Sequence, residues 1–259
     1  MPARHTHVIR TLVVSGLLVG GMALAGCGGS DSRPATSTTA SPATTAPATS
    51  ELEGLSAQDV FAKTSAAAQA AQSVHIAGTG TSGGQPIKID MVLKSGAGGS
   101  GSIGLNGSTF EVVVDGQDMY FKADDAFYRN SLGDAYTTAV AALIGGKFLK
   151  GPVSDPRLTD FANFGDLKTF MKGTLSPDGA ISRIAGKTIN GVPTVGLHDD
   201  DPDNGGSLFV ADDGTNLPVA IEPDQTNGER GQITFSEWNA PVTITVPPAD
   251  QIVDISNLG

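Results

Sequence analysis

A second cysteine is missing from this chain, so Cys27 has no partner for an internal disulfide and the fold must be held by its core. Basic residues are also scarce, with 16 Lys and Arg against 27 Asp and Glu. A surface this acidic repels phosphate backbones, which excludes nucleic-acid binding as a function class. It equally speaks against adhesion to an anionic leaflet through basic side chains. The apolar run from Leu12 to Leu24 falls short of the roughly 20 residues a membrane-crossing helix needs. Of the 4 histidines, His5 and His7 precede Cys27, which leaves only His75 and His198 as bases in the remainder.

What is present begins with a leader. Arg4 and Arg10 precede the apolar run, and Leu24-Ala25-Gly26-Cys27 closes it. That layout is a secretory signal over residues 1–26, ending in what looks like a bacterial lipobox. The expectation is that Cys27 is diacylated and becomes the mature N-terminus, on the extracytoplasmic face of the cell membrane. An ordinary signal peptide with a stray thiol is the bland alternative. Cleavage there removes Arg4 and Arg10, leaving 14 basic and 27 acidic groups and a net charge of −13. The lipid, not surface charge, must then hold the protein at the membrane, and two or three acyl chains suffice.

From Gly28 to Ser50 the composition is almost wholly Ser, Thr, Ala, Pro and Gly. Such a segment lacks the apolar surface to offset its ordering entropy. Residues 27–50 therefore read as the lipidated cysteine and a tether of roughly 70 Å when extended. Residues 51–259 have the length of one well-buried domain.

That domain opens on a helix. Ser56 followed by Asp59 is a capping-box pattern, Leu55 can staple onto Val60, and Ala-rich turns run to about Gln72. Its apolar stripe is Val60, Phe61, Thr64, Ala67, Ala68 and Ala71. After Ser73 the period becomes two, with Ile87, Ile89, Met91 and Leu93 on one side of a strand and Phe110, Val112 and Val114 on one side of another. Asn-Gly or Asp-Gly pairs begin at Asn106, Asp115, Asp178, Asn190, Asn204, Asp213 and Asn227, and imply an antiparallel meander. Residues 131–174 break the rhythm, with helices expected at Ala139 to Leu143, Leu158 to Phe164 and Asp166 to Met171. Strands resume near Ile181 and are expected to continue to Val246, where Pro247-Pro248 stops them. The class is α+β, a strongly bent antiparallel sheet with helices covering its apolar face.

Motifs for catalysis and metals are near misses. Gly80-Thr81-Ser82-Gly83-Gly84 matches a nucleophile-elbow pattern, but a strand follows it where the motif needs a helix. Gly186-Lys187-Thr188 resembles the end of a phosphate loop, yet Ile181 stands where the first glycine belongs. Asp199, Asp200, Asp201, Asp203 and Asn204 fail as a calcium loop, with Asn204 at the glycine position and Val210 at the glutamate position. They read as a solvated hairpin loop. His75 reads as a hydrogen-bonded structural residue and Trp238 as a core or rim aromatic. No cofactor and no metal site is expected.

Four segments resemble the actinobacterial LppX/LprG-type lipoproteins. They are the Ala-rich helix leading into Ser73-Val74-His75; Val114-Asp115-Gly116 with Met119-Tyr120; Gly186 to Thr194; and Ile233 to Trp238 followed by Val242 to Pro248. The resemblance covers most of residues 56–248 and is poorest at 131–174. It implies a half-barrel with helices across its concave side and a space between them for acyl chains. The implied lining is Ile87, Ile89, Met91, Leu93, Phe110, Val112, Val114, Met119, Phe121, Val219, Ile221, Ile233 and Phe235. Two departures bear on cavity size. The segment Asp199–Gly206 is short where members carry a partly helical stretch, and residues 131–174 are long.

Three functions compete. The first is a lipid-binding or lipid-transfer lipoprotein, a monomer serving an acylated lipid or glycolipid and an envelope export protein. The second is a non-enzymatic interaction or sensing module with a filled core. The third is a hydrolase using Ser82 or another nucleophile. A cavity of several hundred Å³ favours the first, a packed core with an apolar patch the second, and a histidine within reach of a serine or carboxylate the third.

Overall fold

The computed structural model describes residues 50–82, 84–155, 165–224 and 230–257. The leader, Cys27, the tether up to Thr49, the expected helix Leu158–Phe164 and the turn at Asn227 lie outside them. The sheet contains β1 (Ser73–Ser82), β2 (Gln85–Lys94), β3 (Gly98–Leu105), β4 (Ser108–Val114), β5 (Asp118–Ala123), β6 (Phe148–Pro152), β7 (Ile181–Ile184), β8 (Thr188–Ile189), β9 (Val192–Asp199), β10 (Gly206–Ala211), β11 (Pro218–Pro223), β12 (Arg230–Ser236) and β13 (Ile252–Asp254). Among the described residues four α-helices accompany it: α1 (Ala57–Ala70), α2 (Asp125–Leu132), α3 (Thr138–Ile144) and α4 (Leu167–Thr174). None of the described helices is long and apolar enough to cross a membrane.

The strand order is β13-β6-β5-β4-β3-β2-β1-β12-β11-β10-β9-β7, with β8 paired on β9, so the sheet is open and does not close on itself. Every pair is antiparallel except β13 with β6, which is parallel. The sheet is therefore mixed, a small departure from the antiparallel expectation at one edge. From β1 to β5 the chain runs as neighbouring hairpins, and α2 and α3 intervene before β6. Asn106-Gly107 and Asn190-Gly191 turn with positive φ at both residues, as a type I′ turn requires. Asp178-Gly179 and Asn204-Gly205 do not, and the first of these sits between α4 and β7 instead of joining two strands.

Register explains how one face becomes apolar. Phe235 faces Ile76, Ile76 faces Met91, Met91 faces Gly101, Gly101 faces Val112, Val112 faces Phe121 and Phe121 faces Leu149. This single row crosses seven strands, and alternation puts its side chains on one side. Gly101 is its gap: a Cβ there would come within 2.8 Å of the Met91 sulfur, so the methionine lies over the glycine.

The helices cover that face. Ser56 caps α1, accepting from the Asp59 N–H at 3.1 Å, and the helix buries Val60, Thr64 and Ala68 against the sheet. Asp166 caps α4 in the same way, and α4 buries Leu167, Phe170 and Met171. Asp124 caps α2 by accepting from Phe127 at 2.8 Å. Tyr128 of α2, Ile144 of α3 and Tyr136 from the turn between those helices join the main core cluster with Met91, Val112, Met119 and Phe235. A second cluster unites Leu52 and Val60 with Val195, Leu197, Leu208 and Val210, and a third gathers Ile189, Phe209, Ala211, Val219 and Ala220.

Two expected elements differ. Residues 131–174 also contain strand β6, and α2 begins ahead of that interval. Residues 242–246 belong to no strand, because positive φ at Glu237 and Asn239 turns the chain out of β12. They are held beside the sheet instead, with the Lys94 ammonium on the Val242 carbonyl at 3.1 Å.

Candidate functional site

Between the two larger clusters lies a narrow cavity of about 120 Å³. Its floor is Ile89, Ile221 and Ile233, and its roof is Phe61 of α1 with Phe170 and Leu175 at α4. Leu175 and Ile221 pack against both clusters, so the cavity is the seam where they meet. The mouth is polar, formed by Asp199, Asn204, Gly205 and Ser207. A cavity of about 150 Å³ accepts a benzene-sized guest, so this one accommodates a short apolar segment in its present form. The seam falls short of the several hundred Å³ that would by itself favour a lipid carrier over a filled core. The shortfall arises because Leu167, Phe170 and Met171 are themselves buried against the sheet face.

Of the implied lining, Ile89, Ile221 and Ile233 border the cavity. Met91, Leu93, Phe110, Val112, Val114, Met119, Phe121 and Phe235 share the apolar face but pack into the main cluster. Phe110, Phe121 and Phe127 form a group with centroids 4.8 to 5.7 Å apart, which fills the face near α2. Two residues require correction. Val219 lies in the third cluster with Phe209 and Ala220, because the register between β10 and β11 shifts at Phe209/Val210. Phe209 faces Ala220 while Val210 faces Pro218, so Val219 is the extra residue of a bulge and leaves the alternation. Ile87 is half-buried and outside the core clusters, one pleat beyond Ile89 toward the hairpin tips. Phe61, Phe170, Leu175 and Leu208 border the cavity without having been named as lining; the stripe of α1 and the run Leu208-Phe209-Val210 were the available signals.

The loop 199–206 is organised by its own backbone. The Asp199 carboxylate accepts N–H groups of Asp178, Gly179 and Asp201 at 2.8 to 3.2 Å, and Asp201 accepts from Asp203 and Asn204. Among the described residues, no group of three His, Cys, Asp or Glu is placed to hold a metal ion.

Two Ser-His-Asp alignments run across the sheet. His75 Nε2 lies 2.9 Å from Asp90 Oδ1, and Ser236 Oγ lies 3.4 Å from Nδ1. His198 is 3.5 Å from Ser207 Oγ, 3.5 Å from Asp200 and 3.6 Å from Asp224. Each joins directly opposed residues, His75 with Ser236 and His198 with Ser207, on regular antiparallel ladders. The backbone N–H groups of paired strands are committed to the ladder, which leaves no converging donors for an oxyanion beside the serine. These alignments are cross-strand pairs that stabilise the sheet surface. Ser82 ends β1 and faces Gln85 across a tight hairpin, not the strand-to-helix turn of a nucleophile elbow. Lys187 is engaged by Glu222 at 2.7 Å and lies over the Phe209 ring. The Trp238 indole N–H donates to the Pro218 carbonyl at 2.9 Å, a structural role.

No family model matches the sequence, and no curated protein matches it. The structure is similar to that of LprF from Mycobacterium bovis, at 19% identity over 74% of this chain and 96% of that one, with a TM-score of 0.49. It is also similar to the Mycobacterium tuberculosis lipoprotein LppX, at 18% identity over 73% of this chain and 98% of that one, with a TM-score of 0.42. A conserved protein of Thermus thermophilus matches at 8% identity over 76% and 98%, with a TM-score of 0.38. Solved structures similar to this chain thus include two of the LppX/LprG type that its sequence segments resemble.

Proposed function

We propose that this chain is a membrane-anchored extracytoplasmic lipoprotein that binds acyl lipids of the cell envelope and carries them between partners, without catalysing a reaction. The observation that supports it is the seam cavity. It is apolar on floor and roof, lies between sheet and helices, and opens through a polar mouth at 204–207. An acyl tail leaving a bilayer needs apolar burial of about 25 cal/mol per Å² to replace what it loses. A slot bounded by two short helices can widen by moving α4, where a slot within a sheet cannot. The lipobox at Cys27 and the tether place such a slot where envelope lipids are available. Mass spectrometry of organic extracts from the native protein tests this reading; an extract without acyl lipid, from protein purified out of its own envelope, contradicts it.

The interaction-module reading has one observation in its favour. Most of the apolar face is already covered, with Val112, Met119, Leu167 and Met171 almost wholly inaccessible. On that reading the seam cavity is a packing defect and the extract is empty.

A further inference from the structure

The rim of the seam cavity carries charge of one sign. Among the described residues Asp199 borders it, and no lysine, arginine or histidine does. Alternation along β9 fixes where that carboxylate lies. Leu197 packs with Val60 of α1, so Asp199, two residues on and opposite Gly206, sits on the same helix-covered side. His198 takes the other side, where Asp200 and Asp224 flank it. The cations nearest in sequence keep away from the opening. Arg183 is taken up by the Leu52 and Leu55 carbonyls, and Lys172 is exposed on the last turn of α4 without bordering the cavity.

Two features leave the negative charge at this rim uncompensated. On the outer surface several carboxylates are paired with cations, Glu111 with Lys122, Asp118 with Lys150 and Glu222 with Lys187. Asp199 is held instead by the N–H groups of Asp178, Gly179 and Asp201 at 2.8 to 3.2 Å. Neutral donors position a carboxylate without cancelling its charge. The second feature is α4, which ends at Thr174 on the same rim, where Thr174, Leu175 and Ser176 border the cavity. The carbonyl end of a helix carries roughly half a negative charge. Carboxylate and helix end therefore add. An anionic headgroup entering here meets like charge and no cation to receive it. A hydroxyl-bearing headgroup meets the side chains of Thr174, Ser176 and Asn204, which can donate and accept.

Resting on the lipid-binding reading above, we infer that Asp199 and the end of α4 make the seam selective by exclusion, so that it turns away phosphate-bearing lipids and takes acyl lipids whose headgroup is uncharged. The test uses the full chain and two probes that differ only by a phosphate, monooleoylglycerol and oleoyl-lysophosphatidic acid, each below its aggregation limit. The expected result is at least tenfold tighter binding of the neutral probe at low salt, about 1.4 kcal/mol. Raising the salt to about 0.5 M should shrink that gap at least threefold, because charges at an open rim are screened. Asp199→Asn should tighten binding of the lysophosphatidic acid at least threefold at low salt, a gain that damage to the loop cannot produce. Equal binding of the two lipids by the parent, or tighter binding of the charged one, overturns the exclusion and leaves the lipid-binding reading standing. A gap that salt does not change reflects headgroup size and overturns it as well. If salt closes the gap but Asp199→Asn does not tighten the charged probe, the part assigned to Asp199 is overturned. Binding of neither lipid removes both readings.

Discussion

Asp166 and Gly96 tie the roof of the cavity to the sheet. The carboxylate of Asp166 accepts the Gly96 N–H at 3.0 Å with one oxygen and the Thr169 N–H at 2.9 Å with the other. One side chain therefore caps α4 and fastens it to the β2–β3 turn. Asp166→Ala removes both contacts, and a cap alone is worth about 1 kcal/mol. The expected outcome is a lowered denaturation midpoint in urea and faster hydrogen exchange in α4. An unchanged midpoint would show that packing of Phe170 and Met171 holds the helix unaided.

Acid should loosen the same helices. Partial burial works to raise the Asp166 pKa, but the N–H groups of Gly96 and Thr169 outweigh it and hold the value below that of a free carboxyl. For Asp124, the Phe127 and Thr109 N–H groups lower it. A depressed folded-state pKa contributes stability above the unfolded value, near 3.9, that is lost as pH falls through the folded value. Stability should thus be level from neutral pH to about 5 and decline below about 4. The decline should be shallower in Asp124→Ala and Asp166→Ala. Chemical denaturation at stepped pH measures it, and equal slopes in parent and variants would refute the assignment.

Filled and hollow parts of the apolar face respond differently to enlargement. Val112 is wholly buried among packed neighbours, so Val112→Trp should cost about 1–3 kcal/mol. Ile233 is half-buried beside the cavity, so Ile233→Phe should cost less than 1 kcal/mol while reducing acyl-chain uptake. Thermal denaturation separates the two. Equal losses would mean that the seam is as rigid as the core.

Thr64 offers a gain. Its side chain is fully buried on α1 and its hydroxyl has no hydrogen-bond partner among the described residues. An unsatisfied buried polar atom costs about 1–3 kcal/mol, and valine has the same shape without it. Thr64→Val should raise stability by about 1 kcal/mol. A loss on substitution would show that the hydroxyl is satisfied in solution.

The anchor has its own test. Cys27→Ala should release the chain from membranes or leave its leader uncut. A membrane-bound variant processed after Gly26 would refute the lipobox reading.

Alternation made β2 and β4 legible, because Met91, Leu93, Phe110 and Val112 each have a polar neighbour in sequence, Asp90, Lys94 or Glu111. Capping chemistry made α1 legible through Ser56 and Asp59. Strand β6 was not legible: Phe148-Leu149-Lys150-Gly151-Pro152 carries no alternation and ends in glycine and proline, and it exists because β5 and β13 flank it. The displacement of Val219 was equally hidden, since a bulge depends on the partner strand and not on local pattern. The cavity was legible as a place but not as a size. Its volume follows from how far Phe170 and Leu175 descend toward Ile221, which is a matter of three-dimensional packing.

The point where the chain enters its domain sets an orientation. The hydroxyl of Ser50 bonds the Asp212 carboxylate just past the end of β10, whereas the cavity mouth lies at Gly206, where β10 begins. Under the anchored reading, a leash rooted at Ser50 pulls the far end of the sheet toward the bilayer and turns the mouth outward. On the composition-based reading of residues 28–50 as an extended tether, its reach of roughly 70 Å exceeds the roughly 33 Å of the longest strands, enough for the domain to turn over and present its mouth to the leaflet. Loading and delivery would then be two poses of one molecule, facing inward and outward by turns.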